Sequence, residues 1–334
     1  MIEPFGKLDD GREVQQITLG TADGLQAQIL TYGGILRRLT FPVRGTPRDM
    51  VVTLPDLDSY VRDTTFQGVL VGRVGNRIAD SRFTLNGRTH SLTANNGRNH
   101  LHGGAAGFGK RMWKVLEHDD SSSRVVLGLR SPDGEEGYPG NLDVAAEIAI
   151  EGAQLRLSFE ARSDAPTPVN LTYHPYFNLS GDIARTLTDT VLRIQASKFL
   201  PVRDSQLIPT GEQAPVAGTP FDFRSARTVT SPPLASDQQL GFGGGYDHCW
   251  VLDDSRDCDA ELFSAHSGVT LKVTSEQRGI QFYGGQYLAG VHRGVHGVCL
   301  EPQGFPNAVN EPTFPSVILD AGETRRSTLV YRFS

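Results

Sequence analysis

Apolar and polar residues alternate along most of this chain. In Leu155-Arg156-Leu157-Ser158-Phe159-Glu160-Ala161 the alternation is unbroken, the spacing that sends successive side chains to opposite faces of a strand. Val269 to Thr274 repeats it, and Leu329, Tyr331 and Phe333 alternate with Thr328, Val330 and Arg332. The same pattern predicts strands over 26–32, 124–130, 143–150 and 190–195. Phe83 to Thr89 carries Asn86-Gly87 at its centre, the signal of a two-residue hairpin turn. No window of 11 or more residues sustains a helical period, and 56–63 predicts one short turn of helix at most. Turn residues punctuate throughout, with 37 Gly and 19 Pro, so strands follow one another without long helices between them. The expected fold is all-β, a large antiparallel β-sandwich. Loops at 105–112, 203–220 and 230–246 mark no change of composition, and there is no internal repeat. A single domain over 1–334 is therefore expected.

Composition narrows the class. With 334 residues, 38% of them hydrophobic, a sizeable core is available. The formal charge of −6 argues against nucleic acid or an anionic membrane surface as the main partner, since both reward a basic face. It suits a neutral small molecule. No apolar run is long enough to cross a bilayer, and Met1 to Gly6 lacks the basic start and apolar stretch of a secretory signal. Cys249, Cys258 and Cys299 form an odd set without a C-x-x-C pair, which points to a reducing, cytoplasmic home. The sequons at Asn170 and Asn178 are then accidental. Nothing points beyond a monomer or weak homodimer.

Several short segments carry candidate chemistry. His174 lies in Leu171-Thr172-Tyr173-His174-Pro175-Tyr176-Phe177, where Pro175 biases it to extended backbone and the rings suit a strand or its end. An imidazole walled by rings can serve as a proton donor with a tuned pKa. Gly72-Arg73-Val74-Gly75-Asn76-Arg77 offers forked and amide donors in Arg77 and Asn76. No helix follows it, so it is not a phosphate loop. His100-Leu101-His102 would put two imidazoles on one strand face, a start for a divalent-metal site. Its near downstream residues, Ala105, Ala106, Gly107 and Phe108, supply no ligand, and Gly294 between His292 and His296 spoils a helical ligand pair. Metal and cofactor are expected to be absent. Tyr246-Asp247-His248-Cys249-Trp250 sets a carboxylate among rings, a combination suited to hydroxyl groups and the CH faces of a sugar. Glu301 emerges from the apolar Val298 to Leu300, so its carboxyl should be desolvated and its pKa raised, as suits a general base.

Taken in order, GRVGNRI, LHGG with Gly107-Phe108 and Trp113, HPYFNLSG, YDH, GIQFYGGQYL and CLEPQGFPNAVNEPTFP resemble the aldose 1-epimerase (galactose mutarotase) family. The resemblance runs from Phe5-Gly6 to Tyr331-Arg332-Phe333. It implies a β-sandwich with a sugar cleft across one sheet, His174 as general acid and Glu301 as general base. Asn76, Arg77, His102, Tyr176, Asp247 and Gln281 fall on its sugar-binding positions. Gly109, Cys249 and Arg278 depart from the pattern and bear on sugar preference.

The implied activity is interconversion of the α and β anomers of free aldohexoses such as glucose and galactose. It needs a base for the anomeric hydroxyl and an acid for the ring oxygen, but no redox cofactor. An ionised Glu301 should then set the acidic limb of a bell-shaped pH profile, and a protonated His174 the basic limb. Alternatives are a hexose-6-phosphate 1-epimerase, which would need a basic cluster; a glycoside hydrolase working through Asp247 and Glu301; and a non-catalytic carbohydrate-binding β-sandwich. Neither Arg37-Arg38 nor Arg325-Arg326 makes a phosphate cluster, because adjacent strand residues face opposite ways.

Overall fold

The alternating segments assemble into three large antiparallel sheets and four two-stranded ones, described over residues 1–292 and 294–334 in a computed structural model. The largest has nine strands and is centred on Leu142–Glu151, Gln154–Ser163 and Thr324–Phe333. Leu157 stands opposite Ile148 on one side and Leu329 on the other. Leu155, Leu157, Phe159 and Ala161 are buried while Glu160 is exposed, so the period-two pattern divides core from solvent. Each fully buried Leu or Phe in such a layer contributes about 1.5–3 kcal/mol. The strands predicted over 124–130, 143–150 and 190–195 are found as Arg124–Ser131, Leu142–Glu151 and Thr190–Ile194.

A six-stranded sheet lies against the same apolar cluster. Its order is Tyr176–Phe177, Val298–Gln303, Gly279–Tyr283, Asp247–Val251, Lys198–Leu200 and Ala214–Pro215. Trp250, Ile280, Phe282, Val298 and Leu300 join the core that also holds Leu157 and Leu329. The intervening residues turn the other way, toward a cleft. A third sheet, five strands in chain order from Ile2–Lys7 to Thr46–Asp49, packs on this core through Ile17, Ala27 and Leu39.

Local signals explain most connections. Arg82–Leu85 pairs with Arg88–Ser91 around Asn86 and Gly87, both at positive φ (51° and 78°), the geometry of a two-residue hairpin turn. The short helix is Leu57–Arg62, capped by Asp56, whose Oδ1 accepts from the Ser59 N–H at 2.8 Å. The segment 230–246, expected as loop, contains a second helix, Gln238–Gly243. Asp237 caps it and Gly244 ends it in the left-handed region (φ 62°). Six residues are too few for an apolar period to show.

Candidate functional site

The six-stranded sheet builds the floor of the cleft. Gln281 pairs with Glu301, and Tyr283 pairs with both Asp247 and Cys299, which in turn faces Tyr176. The pleat therefore sends Asp247, Gln281, Tyr283 and Glu301 to one side and Trp250, Phe282 and Leu300 to the core. His248 follows the core side and packs on Phe221, with ring centroids 4.7 Å apart. All six residues of Val298–Gln303 are buried, which is why this strand reads as an apolar run around one carboxyl.

The wall comes from short strands beside this sheet. Leu70–Val71 pairs with Thr172–Tyr173, and Pro175 separates that pair from Tyr176–Phe177. His174 occupies the break. Its backbone is fixed there, its N–H donating to Val69 O at 3.1 Å and its C=O accepting from Gly68 N at 3.0 Å. Its ring lies 5.1 Å from that of Tyr176, 6.0 Å from Phe66 and 5.2 Å, edge-on, from His102.

Arg77–Ile78 pairs with His100–Leu101 and brings Arg77 and His102 to the same wall. The strand ends at Leu101, and His102 adopts φ 50°. This corrects the expectation that His100 and His102 share a face. His100 turns to Tyr138 Oη (2.8 Å) and Thr93 O (2.7 Å), whereas His102 Nδ1 accepts from the Asn76 N–H at 3.2 Å. A neutral His102 so held carries its proton on Nε2.

The cleft measures about 220 Å³, below the roughly 300–1,000 Å³ of drug-sized pockets. Across it, His174 Nε2 stands 3.6 Å from Glu301 Oε1. Asp247 Oδ1 accepts from Gln281 Nε2 at 2.6 Å, and its Oδ2 lies 3.7 Å from the Arg77 guanidinium. Arg77 also donates to Asn96 Oδ1 at 3.2 Å. Tyr176 is held by its hydroxyl, which donates to Thr65 O at 2.7 Å. Asn76 supplies Oδ1 to the Arg77 N–H at 2.9 Å. The eight residues expected to form a site thus line one cleft.

Burial dominates the electrostatics. It pushes the Glu301 carboxyl well above the ordinary carboxylate range; Asp247 adds to the rise and Arg77 opposes it. His174 is pushed down to about 4, again by burial. Asp247 is raised by burial against the opposing pull of Arg77 and the Gln281 hydrogen bond. His102 is held well below the usual imidazole range by burial and by His174 and Arg77 nearby. Burial thus disfavours the charged form of both partners of the His174–Glu301 pair, raising the carboxyl and lowering the imidazole. The raised Glu301 carboxyl matches the desolvation expected from its apolar strand, whereas the lowered His174 imidazole follows from its burial in the wall.

Ligand-type atoms of His102, His174 and Glu301 lie within 4.8 Å of one another, residue types that can hold a divalent ion. Their surroundings fit hydrogen bonding better. His102 faces the cleft with an N–H, and His174 Nδ1 meets the Cys299 Sγ at 3.5 Å rather than the carboxylate or carbonyl that usually orients a metal-bound imidazole. No metal is assigned to them.

Sequence reasoning missed several members of the site. Phe66, at φ 58°, packs with its ring tilted 58° and 4.6 Å from that of His102, and Asn96, Tyr283 and Tyr287 also line the cleft. Phe66 and Asn96 sit in loops without periodicity, so only the fold brings them in. Of the three departures from the family pattern, Arg278 is exposed and paired with Asp254 at 2.6 Å. Gly109 abuts Val69, 2.9 Å from where its Cβ would be. Cys249 reaches the floor, directly opposite Gln281.

Rings, an imidazole and two buried carboxyls across one face of an antiparallel sandwich define a protein that handles a small polyol such as a sugar. The chain belongs to the aldose 1-epimerase family, whose model (Aldose 1-epimerase) matches residues 15–332. It is 40% identical to the galactose mutarotase of Sus scrofa, covering 99% of this chain and 97% of that one. It is 35% identical to the aldose 1-epimerase of Escherichia coli K12, covering 97% and 96%. The crystal structure of galactose 1-epimerase from Lactobacillus acidophilus NCFM superposes with a TM-score of 0.87 at 29% identity, covering 100% of this chain and 98% of that one.

Proposed function

We propose that this aldose 1-epimerase interconverts the anomers of free aldohexoses such as glucose and galactose, with Glu301 and His174 as its proton-transfer pair. The observation that carries the reading is that these two buried groups meet at 3.6 Å in the cleft that also presents Asp247, Arg77 and Gln281. Glu301 accepts the proton of the anomeric hydroxyl. The bond from the anomeric carbon to the ring oxygen breaks as that hydroxyl becomes a carbonyl, and the ring oxygen takes a proton from His174. Rotation about the bond to the next carbon presents the other carbonyl face. Ring closure then returns each proton with the two groups exchanging roles. No electron leaves the sugar, and each proton transfer is worth roughly 10²–10⁴-fold.

The pair needs one proton in total. A protonated Glu301 with neutral His174, the form favoured in the free protein, and an ionised Glu301 with protonated His174 are tautomers of equal charge. The second is the working form, and it becomes accessible without any change of pH. His102, through its Nε2–H, and Arg77 hold ring and hydroxyl oxygens. Asp247, oriented by Gln281, fixes a hydroxyl, Asn76 sets the His102 tautomer, and Tyr176 supplies a ring face.

The three cysteines are free and buried, in keeping with a reducing cytoplasm. No described helix is long and apolar enough to cross a membrane. The protein works as a single unit, as a monomer or weak homodimer without nucleic acid.

The direct test is polarimetry on freshly dissolved α-glucose and α-galactose. Relaxation to the equilibrium rotation should be faster with enzyme, and an unchanged rate for both sugars rejects the reading.

A further inference from the structure

Below the proton-transfer pair lies a polar residue with no task so far. Gln303 is fully buried, yet neither its Nε2 nor its Oε1 has a hydrogen-bond partner among the described residues. The Cys249 thiol beside it is a weak partner at best. On the same sheet face, Glu301 Oε2 and Gln281 Oε1 are likewise buried and unpartnered. Glu301 and Gln303 are two apart in one strand and point the same way, roughly 7 Å from each other. Gln281 is directly across from Glu301. Gly279, directly across from Gln303, adds no side chain, and the Gln303 Oε1 turns toward Gly75 of the cleft wall. Pro302 between them is pinned through its carbonyl, which accepts from Thr172 Oγ1 at 2.8 Å.

Orphan polar atoms gathered in one buried place mark the seat of a bound water, which needs two to four polar partners. Resting on Glu301 as the base, we propose that Gln303 is a positioning residue whose amide holds a water against Glu301 Oε2, leaving Oε1 aimed at His174. The water donates to the carboxylate and accepts from the Gln303 Nε2–H, so it stabilises the ionised form without touching the sugar.

Other groups also act on Glu301. His174 and His102 face it from the wall, Asp247 raises it from across the floor and Arg77 lowers it from the wall. The buried thiols of Cys249 and Cys299 and the phenols of Tyr176 and Tyr331 stand near enough to be raised by its charge. Of these only the Cys249 thiol touches Gln303, so changing Gln303 to an apolar residue of like length leaves the charged groups as they are. Removing the water strips solvation from the carboxylate alone. The Glu301 pKa then climbs further, and the working tautomer becomes rarer by the same factor.

The test is Gln303→Met, assayed by polarimetry across pH. The basic limb of the profile should move up by about one pH unit while kcat falls about tenfold, with KM within about twofold. A purely structural role would not tie the rate loss to the limb shift. A second measurement uses the wild-type protein, so it does not depend on the variant folding. A crystal structure fine enough to show waters should place one within hydrogen-bonding reach of Glu301 Oε2 and the Gln303 amide. An unmoved limb, or no such water, overturns the proposal. Failure of the underlying reading looks different, because Glu301→Gln would then stay active whatever Gln303→Met does.

Discussion

Gln281 and Glu301 stand directly opposite each other on adjacent antiparallel strands, and each leaves one buried side-chain oxygen unpartnered. Two acceptors so placed call for donors, and sugar hydroxyls or a bound water supply them. The other end of Gln281 is committed, since its Nε2 holds Asp247 at 2.6 Å. One amide therefore ties the Asp247 carboxylate to the strand row that carries Glu301.

That tie gives Asp247 two effects in the proposed mechanism: it would accept from a sugar hydroxyl, and its charge raises Glu301. Asp247→Asn should weaken sugar binding by about tenfold or more and also move the basic limb of the pH profile to lower pH. Calorimetric binding and the polarimetric profile check the two halves separately. A variant that binds as before, or whose basic limb stays put, contradicts this role.

The pH profile of kcat/KM should be bell-shaped, with its limbs exchanged relative to a simple acid–base assignment. Below about 4 a second proton enters at His174, which burial holds down to about 4, and activity falls. Protonation of Asp247, raised by burial, adds to that loss. At high pH the pair loses its only proton from a carboxyl raised well above its usual range. Activity that climbs steadily to pH 10 would remove the shared proton from the mechanism.

Burying Glu301 should also destabilise the fold in a pH-dependent way. Its folded pKa lies above the unfolded value of 4.5, so the folded state binds more protons above about pH 4.5 and stability drops as pH rises through that window. Glutamine has no such dependence. Thermal unfolding should find Glu301→Gln equal to wild type near pH 4 and more stable by roughly 1–3 °C at pH 8. A variant less stable at pH 8 than at pH 4, relative to wild type, contradicts the raised carboxyl.

The fold was readable because its sheets have one polar face or one interrupted by turns. Gln154–Ser163 buries alternate residues and leaves the others half-buried or exposed, and Asn86-Gly87 marks its own hairpin. The site was partly readable. His174 and Glu301 stand out as a polar residue in an apolar or aromatic stretch, and the family motifs supplied the rest. Phe66 and Asn96 could not be found, because loops reach the cleft through tertiary contacts alone. His100 misled, since strand spacing says nothing of a backbone that turns to positive φ at the next residue but one, His102. The lowered His174 imidazole was also hidden, because it depends on burial that only the folded chain supplies.

Arg77 is the only guanidinium among the described residues lining the cleft, and Asp247 already engages it. Elsewhere Arg325 donates to backbone carbonyls of Val169, Val317 and Ile318, and Arg326 pairs with Glu160. Free glucose should therefore show a clearly higher kcat/KM than glucose 6-phosphate, whose dianion meets Asp247 and Glu301. Activity should also survive EDTA. A preference for the phosphate, or loss in chelator restored by a divalent ion, contradicts the neutral, cofactor-free chemistry.

The most direct measurement compares Glu301→Gln with wild type in polarimetric rate and in equilibrium sugar binding by calorimetry. Glutamine is nearly isosteric and still hydrogen-bonds the anomeric hydroxyl, but it cannot take the proton, a loss felt only on the way to the open chain. Turnover should vanish while the Kd stays within about tenfold, a change of about 1.4 kcal/mol. Retention of even a tenth of wild-type turnover would show that Glu301 is not the base.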